Sequence, residues 1–333
     1  MDTRTTATRP AWHELPARVR VEIERRLGAR VVRTATQPGG FSPGLAVRVV
    51  GEDGRRAFVK AISTRHAASL PFYRKEASVA ARLPRSVPTP ALRFCGEYDE
   101  WIVLAFDDVD GRMPALPWRR DEVEQILEAI HRLSEAGDPC PVPGVGPWGG
   151  DLDVWPGWRL VPGSPIVDRL APAVRRRLDE LVELEAAYPE SAGGDVLVHA
   201  DLRVDNILLT ADGVRFVDWA CAARGAAWID VMAFCLNAAV HGLDDPDGVF
   251  RRHPLAAGAA PDALRSLLAA VAGRMVFLSN QPAIAGLPAL RAFQALAATA
   301  AWRWLSAVSR WPAPPRMWRD EAAAAGAGRT GRA

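Results

Sequence analysis

Hydrophobic and polar positions follow two different periods along this chain, and the change from one to the other divides it. In the first third, apolar residues come in short β-branched runs: Leu45–Val50 and Arg56–Ile62 read as strands, and Gly51-Glu52-Asp53-Gly54 between them is a hairpin turn signal. Upstream, Gln37-Pro38-Gly39-Gly40-Phe41-Ser42-Pro43-Gly44 predicts a glycine-rich loop joining two strands. A helix is expected over Ala17–Leu27. A second opens at Pro71, carries Glu76, Val79, Ala80 and Leu83 on one face, and ends before Pro84, Pro88 and Pro90. Trp101–Ala105 reads as a buried strand, and Asp107–Gly111 as a connector.

From Asp121 the helical period takes over, with helices predicted at Asp121–Leu133 and Ala173–Ala187 and a loop rich in Pro, Gly and Trp at Pro139–Trp158. Strand signal returns only at Asp195–His199, Ile207–Thr210 and Val214–Val217; the rest is helical to about Trp311, and Ala322–Ala333 has the composition of a flexible tail. The expected fold is α+β, a β-rich lobe (1–106) and a mainly helical lobe (107–321) with a cleft between them.

Composition narrows the function. Within 333 residues, 49% are hydrophobic and 24% charged, and 41 basic against 39 acidic residues leave a net charge of +2, far from the basic surface that nucleic-acid binding needs. The N-terminal residues carry no apolar run that reads as a signal, and arginines interrupt the apolar stretches between Ala263 and Val308, so no membrane span and a cytoplasmic setting are expected. Cys95, Cys140, Cys221 and Cys235 are scattered, without the spacing of a zinc site or disulfide framework. Lysine occurs only as Lys60 and Lys75, which makes the setting of each informative.

The chemistry concentrates in Val198-His199-Ala200-Asp201-Leu202-Arg203-Val204-Asp205-Asn206 and in Val217-Asp218-Trp219. A turn at Ala211-Asp212-Gly213 between two short apolar strands folds Asn206 and Asp218 back to the same end, and Asp201 lies on the adjoining loop. One carboxylate and one amide oxygen side by side suit Mg²⁺, which completes its shell with water and phosphate. Glu76 on an otherwise apolar helix face calls for a buried partner, and Lys60 supplies one.

The His-x-Asp-x-x-x-x-Asn loop followed by Asp218 resembles the motifs of the aminoglycoside phosphotransferase-like kinases, a family with the two-lobed protein-kinase fold. The glycine-rich loop, Lys60, Glu76 and the connector after Ala105 follow the same order, so the resemblance covers residues 30–235. It implies a nucleotide-binding lobe at 1–106 and a catalytic and acceptor lobe at 107–321. It also implies ATP or GTP as donor with Mg²⁺ held by Asn206 and Asp218. Asp201 would take the proton of the attacking hydroxyl, and Lys60, paired with Glu76, would contact the α- and β-phosphates. Gly39, Gly40, Phe41, Ser42 and Gly44 would lie over the phosphates, and the purine would sit against Phe106, Asp107, Asp108 and Val109. His199, Arg203 and Asp230 would support the catalytic loop, His199 as a brace and not a proton carrier. Asp205 reads equally as a supporting or a turn residue, and Lys75 as solvated surface. Ala200 stands where the family often has glycine. Trp219-Ala220 replaces the Phe-Gly of protein kinases, and no Ala-Pro-Glu segment follows, which favours a small-molecule acceptor over a protein.

The acceptor class is suggested by charge. Ala263–Arg319 contains no Asp or Glu, yet it carries Arg265, Arg274, Arg291, Arg303, Arg310, Arg316 and Arg319, a poor wall for a polycation. Carboxylates to hold one would have to come from Asp151, Asp153 or the cluster Asp244, Asp245 and Asp247. We therefore expect a neutral or weakly charged hydroxyl compound, such as a nucleoside antibiotic, with Trp148, Trp155, Trp158, Trp302 and Trp304 as candidate ring contacts. A metabolic kinase for a sugar or amino alcohol, an aminoglycoside kinase and a catalytically silent nucleotide-binding scaffold are the alternatives, and a monomer or homodimer is expected.

Overall fold

The computed structural model describes residues 7–37, 39–150, 155–312 and 316–319. Asp151, Asp153 and the expected tail at 322–333 lie outside them. The described residues fall into two units, one drawn from Met1–Val145, Val196–Ala223 and Ile284–Pro288, the other from Gly146–Asp195, Arg224–Ala283 and Ala289–Ala333.

In the first unit, α1 (Ala17–Leu27) ends at Gly28, whose left-handed backbone (φ 78°) turns its N–H back to Glu24 O. Strands β1 (Val31–Thr36), β2 (Leu45–Gly51), β3 (Arg56–Ser63), β4 (Leu92–Tyr98) and β5 (Trp101–Asp107) form an antiparallel sheet in the order β1-β2-β3-β5-β4. The two-residue period of β3 then sorts its side chains. Ala57, Val59 and Ala61 enter a core with Trp12, Leu15, Val19 and Ile23, whereas Phe58 and Ile62 pack on the opposite face with Tyr73, Leu104 and Phe106. Lys60, in register with Ala46 and Leu104, belongs to this second face. Helix α2 (Leu70–Ala80) covers it, burying Tyr73, Glu76 and Val79.

The connector after β5 contributes a strand the sequence pattern did not suggest. β6 (Gly111–Arg112) pairs with β8 (Ile207–Thr210), which pairs with β9 (Gly213–Phe216), in the order β6-β8-β9. The unit is completed by α3 (Arg120–Ala136) and β7 (Val196–Val198).

The second unit is helical. The helix expected over Ala173–Ala187 is two, because Arg177 leaves helical geometry (φ −112°) and stacks its guanidinium over Trp311 at 4.2 Å. The unit runs through α4 (Ile166–Arg169), α5 (Pro172–Arg175), α6 (Leu178–Ala186), α7 (Tyr188–Ser191), α8 (Ile229–Val240), α9 (Pro246–Arg252), α10 (Pro261–Ser279) and α11 (Leu290–Val308). No described helix is long and apolar enough to cross a membrane. Most of the tryptophans expected as ring contacts are core. Trp158, Trp302 and Trp304 are at most 2% exposed, and the Trp158 Nε1–H donates to Ala269 O at 2.8 Å. Buried Glu185 accepts the backbone N–H groups of Trp158 and Arg159 at 2.8 and 3.0 Å.

Gly273 in α10 is what admits Trp158, since a Cβ there would lie 2.5 Å from Trp158 Cδ1 and 2.7 Å from its backbone nitrogen. Alanine gains about 1 kcal/mol of helix propensity over glycine, whereas overpacking costs about 1–3 kcal/mol. Gly273→Ala should therefore lower the urea midpoint of unfolding, and an unchanged or raised midpoint would contradict this packing.

Candidate active site

Two chain segments and one strand converge on the site. Lys60 is buried on β3 and donates to Glu76 Oε2 at 2.5 Å and to Asp218 Oδ1 at 3.1 Å. Burial opposes the ammonium charge, but Asp218 and Glu76 outweigh it and hold the Lys60 pKa above its ordinary value. Burial likewise works against the Asp218 carboxylate, and Lys60 and then Arg203 overcome it, so Asp218 titrates below the usual aspartate range.

The loop that carries Asp201 is fixed from both ends. His199 is fully buried, and its Nε2 donates to Val217 O at 3.0 Å while Nδ1 accepts the Asp201 N–H at 3.3 Å, a tautomer dictated by those two partners. Burial lowers its pKa to about 4, so the ring is neutral near pH 7 and staples the loop to the residue preceding Asp218. The two loops depart from ordinary backbone at one residue each, Ala200 (φ 63°) and Asp218 (φ 70°). Glycine adopts the Ala200 geometry without penalty, whereas alanine there costs about 1 kcal/mol.

Asp201 Oδ2 accepts from Arg203 Nη1 at 2.5 Å and from Asn206 Nδ2 at 3.0 Å, which leaves Oδ1 without a hydrogen bond among the described residues. Arg203 also grips both oxygens of Asp205 at 3.0 and 3.1 Å and lies over the Phe41 ring at 5.2 Å, so Asp205 is a brace of the loop. Burial, only partly offset by Arg203, raises the Asp201 pKa to about 6.

Asn206 turns its amide nitrogen to Asp201, at 2.8 Å from the backbone oxygen, so its Oδ1 is the atom left for another ligand. Asp218 Oδ2 is similarly uncommitted among the described residues. Two hard oxygen donors, one of them ionised, fit a Mg²⁺ ion that takes the remainder of its shell from phosphate and water. Among the described residues no three or more His, Cys, Asp or Glu side chains form a metal cage, so an ion here would depend on such outside ligands.

Lys60, Glu76, Asn206 and Asp218 line a cavity of about 420 Å³ together with Gly39, Gly40, Phe58 and Phe106 through Val109. Ser42 instead shares its hydroxyl with Tyr73 at 2.8 Å and receives the Gly44 N–H at 3.3 Å. Asp107 pairs with Arg93 at 2.6 Å. The Asp108 carboxylate is held by Arg48 and Arg56 at 3.2 and 2.7 Å, and Val109 O accepts from Arg48 at 2.8 Å and from the Gly111 N–H at 3.0 Å. Asp230 is buried in the first turn of α8, and Lys75 is exposed. Trp219 is buried against His199 at 4.7 Å and donates to Thr89 at 2.9 Å. The sequence reading missed Arg9, whose guanidinium donates to Gly39 O and Gly44 O at the ends of the glycine-rich loop. An isolated arginine in a polar N-terminal stretch carries no local signal for such a contact.

Comparison with known proteins places this geometry. The chain spans 26% of the length of the homoserine kinases from Methylobacterium sp. (strain 4-46) and Methylobacterium nodulans that it matches, with 40% and 42% identity over 87 and 88 residues. The crystal structure of aminoglycoside phosphotransferase APH(4)-Ia superposes with a TM-score of 0.57 at 17% identity, covering 88% of this chain and 97% of that one. Macrolide 2'-phosphotransferase MphH from Brachybacterium faecium gives 0.52 at 17% identity, covering 84% and 95%. These structural likenesses establish a common fold, the two-lobed α+β architecture expected from the motifs. Residues 36–267, well over half of the chain, match APH, the phosphotransferase enzyme family, and the chain belongs to that family.

Proposed function

We propose that this protein is a small-molecule O-phosphotransferase that moves the γ-phosphate of ATP or GTP to a hydroxyl of a neutral or weakly charged acceptor, such as a nucleoside antibiotic. The observation that carries this reading is the meeting of Lys60, Asn206 and Asp218 on one cavity, with Asp201 hydrogen-bonded to Asn206 beside it. Relatives of the same fold have been crystallised with ADP and hygromycin B and with ADP and spectinomycin, which supports a nucleotide and a small hydroxyl compound as the two substrates.

In the mechanism, the acceptor hydroxyl donates to Asp201 Oδ1, its oxygen bonds to the γ-phosphorus as the bond to the β-phosphate oxygen breaks, and the proton passes to Asp201. A carboxylate with a pKa raised to about 6 is a better proton acceptor than an ordinary aspartate and is still mostly ionised at pH 7. Arg203 and Asn206 keep its other oxygen occupied, which aims Oδ1. Lys60 presents a fixed positive charge to the α- and β-phosphates, and the bare backbone at Gly39 and Gly40 allows N–H groups to approach the chain of phosphates. Mg²⁺, held by Asn206 Oδ1 and Asp218, would neutralise the charge of the phosphates. The backbone from Phe106 to Val109 reads the purine, while the Asp108 side chain is spent on Arg48 and Arg56. In this reading residues 1–106 are the nucleotide-binding lobe and 107–321 the catalytic and acceptor lobe.

The charge of the acceptor follows from how the acids of the helical unit are used. Asp245 caps α9 by accepting the Gly248 N–H at 2.8 Å, and Asp247 is shared by Arg251 at 2.7 Å and Trp304 Nε1 at 3.1 Å. Those carboxylates are committed within their own helix and its neighbour, which leaves Asp244 of that cluster for a polyamine. A second reading, a small amino alcohol as acceptor, is favoured by the local identity to homoserine kinases.

Asp201→Asn should lower kcat by about 10²- to 10⁴-fold while the Kd for AMP-PNP changes less than about twofold; turnover within a few-fold of wild type, measured by ADP release, would remove Asp201 from its assigned role. Incubating the enzyme and Mg²⁺-ATP or Mg²⁺-GTP with kanamycin, a macrolide, a set of nucleoside antibiotics and homoserine should give phosphorylated product, detected by mass, from a neutral compound. Preference for kanamycin would overturn the assignment of the acceptor, and preference for homoserine would establish the second reading.

A further inference from the structure

The N-terminal segment places a second cation in the phosphate-binding part of the cavity. The Thr8 N–H donates to Gly286 O at 2.9 Å, and from the adjoining position Arg9 reaches the glycine-rich loop. Its Nε and Nη2 donate to Gly39 O at 3.2 and 2.6 Å, and its Nη1 donates to Gly44 O at 2.8 Å. A Cβ on Gly40 would lie 2.7 Å from Arg9 Nη2, so the guanidinium occupies the space that the missing side chain leaves open.

What distinguishes Arg9 is its counter-charge. Of the other cations lining this cavity, Lys60 holds Glu76 and Asp218, Arg48 holds Asp108, and Arg112 holds Glu122. Arg9 has no carboxylate within ion-pair distance among the described residues; its side-chain hydrogen bonds go to two carbonyls. Burial lowers its pKa, and the fields of Tyr73, Asp218 and Asp205 offset this only in part. A partly buried cation without a paired anion is less favourable than a paired one, and a bound anion at that position supplies the pair. Only three of its N–H donors are directed at the loop carbonyls, so the guanidinium retains donors for a ligand.

We propose that Arg9 is a phosphate-binding residue that contacts the β- and γ-phosphates of the bound nucleotide from beneath the glycine-rich loop, opposite in sequence to every element that carries the family motifs. The proposal rests on the nucleotide-kinase reading above. Arg9 holds the loop through its carbonyls and meets the terminal phosphates with the same planar group, a geometry that lysine cannot reproduce in full.

Isothermal titration of the full-length protein with AMP-PNP, ADP and AMP in the presence of Mg²⁺ separates this role from a purely structural one. Arg9→Ala should weaken AMP-PNP binding by about tenfold or more, weaken ADP less, and leave AMP within about twofold, and Arg9→Lys should recover part of the loss. Arg9→Gln, which keeps the stem and removes the charge, should follow the alanine variant and carries the test if Arg9→Ala does not fold. An equal loss for all three nucleotides, as expected from a simple loop clamp, would overturn the proposal, and so would tighter binding, as expected from a plug that nucleotide must displace. Failure of the wild-type protein to bind any of the three would instead overturn the nucleotide reading itself.

Discussion

The Lys60 ammonium, held between Glu76 and Asp218, is the contact on which the rest of the first unit depends. Lys60 and Glu76 are each expensive to desolvate singly, and with Asp218 they form one ion-paired group where strand β3, helix α2 and the loop after β9 meet. Removing one partner of such a buried group costs about 3–5 kcal/mol because the remaining charge is stranded. The triad therefore acts as a test of assembly. Glu76 can be buried on α2 only if that helix lies over the face of β3 that carries Lys60, and Lys60 in turn holds the partly exposed Asp218 below the usual aspartate range. α2 also packs against the segment Trp219–Cys221, so the helix that positions Glu76 is bound to the residue that follows Asp218.

A second set of contacts transmits that arrangement to Asp201. Neutral His199 joins the Asp201 N–H to Val217 O, and the Val217 N–H returns to Asn206 O at 3.0 Å, so the loop and β9 are cross-stitched through backbone groups that titrate with neither substrate nor metal. Arg203 adds a charged hinge, binding Asp201 and Asp205 at once. Positive φ at Ala200 and Asp218 is the local energy this bracing sustains. Phosphoryl transfer asks chiefly for positioned charge, and a scaffold that fixes carboxylates through buried rings and guanidinium groups meets that demand without mobile parts.

The portion of this site visible in the sequence is the portion written locally. Asn206 and Asp218 flank a hairpin whose turn is spelled by Ala211-Asp212-Gly213, so two-residue periodicity brings them together, and Glu76 stands out because its helix face is otherwise apolar. Contacts set by tertiary placement left no such trace. Tyr73 reads as one more apolar position of α2, yet its hydroxyl meets Ser42. Arg48 looks like an exposed strand residue until the chain returns with Asp108 and Val109. Strand β6 is two residues long and exists because β8 offers it an edge, which no periodicity can announce. The tryptophans misled for a related reason. Size and flatness suit both a ligand platform and a core, and only the small residues opposite, such as Gly273 facing Trp158, decide between them.

The same distinction governs what the arginine-rich, acid-free C-terminal stretch means. Counted from sequence it looks like a positive wall, and part of it is engaged: Arg265 pairs with Asp262 at 3.0 Å and Glu180 at 3.5 Å, Arg274 lies over the Trp155 ring at 4.3 Å, and Arg291 donates to Pro282 O at 2.8 Å, while Arg303, Arg310 and Arg319 stay exposed. Asp245 and Asp247 are held on α9, and Arg265 finds its carboxylates in Asp262 and Glu180, outside the stretch. A stretch that keeps exposed arginines and no carboxylate of its own is a poor surface for a polyamine. In the proposed mechanism Asp201, its pKa raised to about 6, takes the proton of a hydroxyl whose oxygen bonds to the phosphorus, while an ammonium already protonated near pH 7 has no lone pair to offer as nucleophile. On that proposal, O-transfer is favoured by the chemistry of the base.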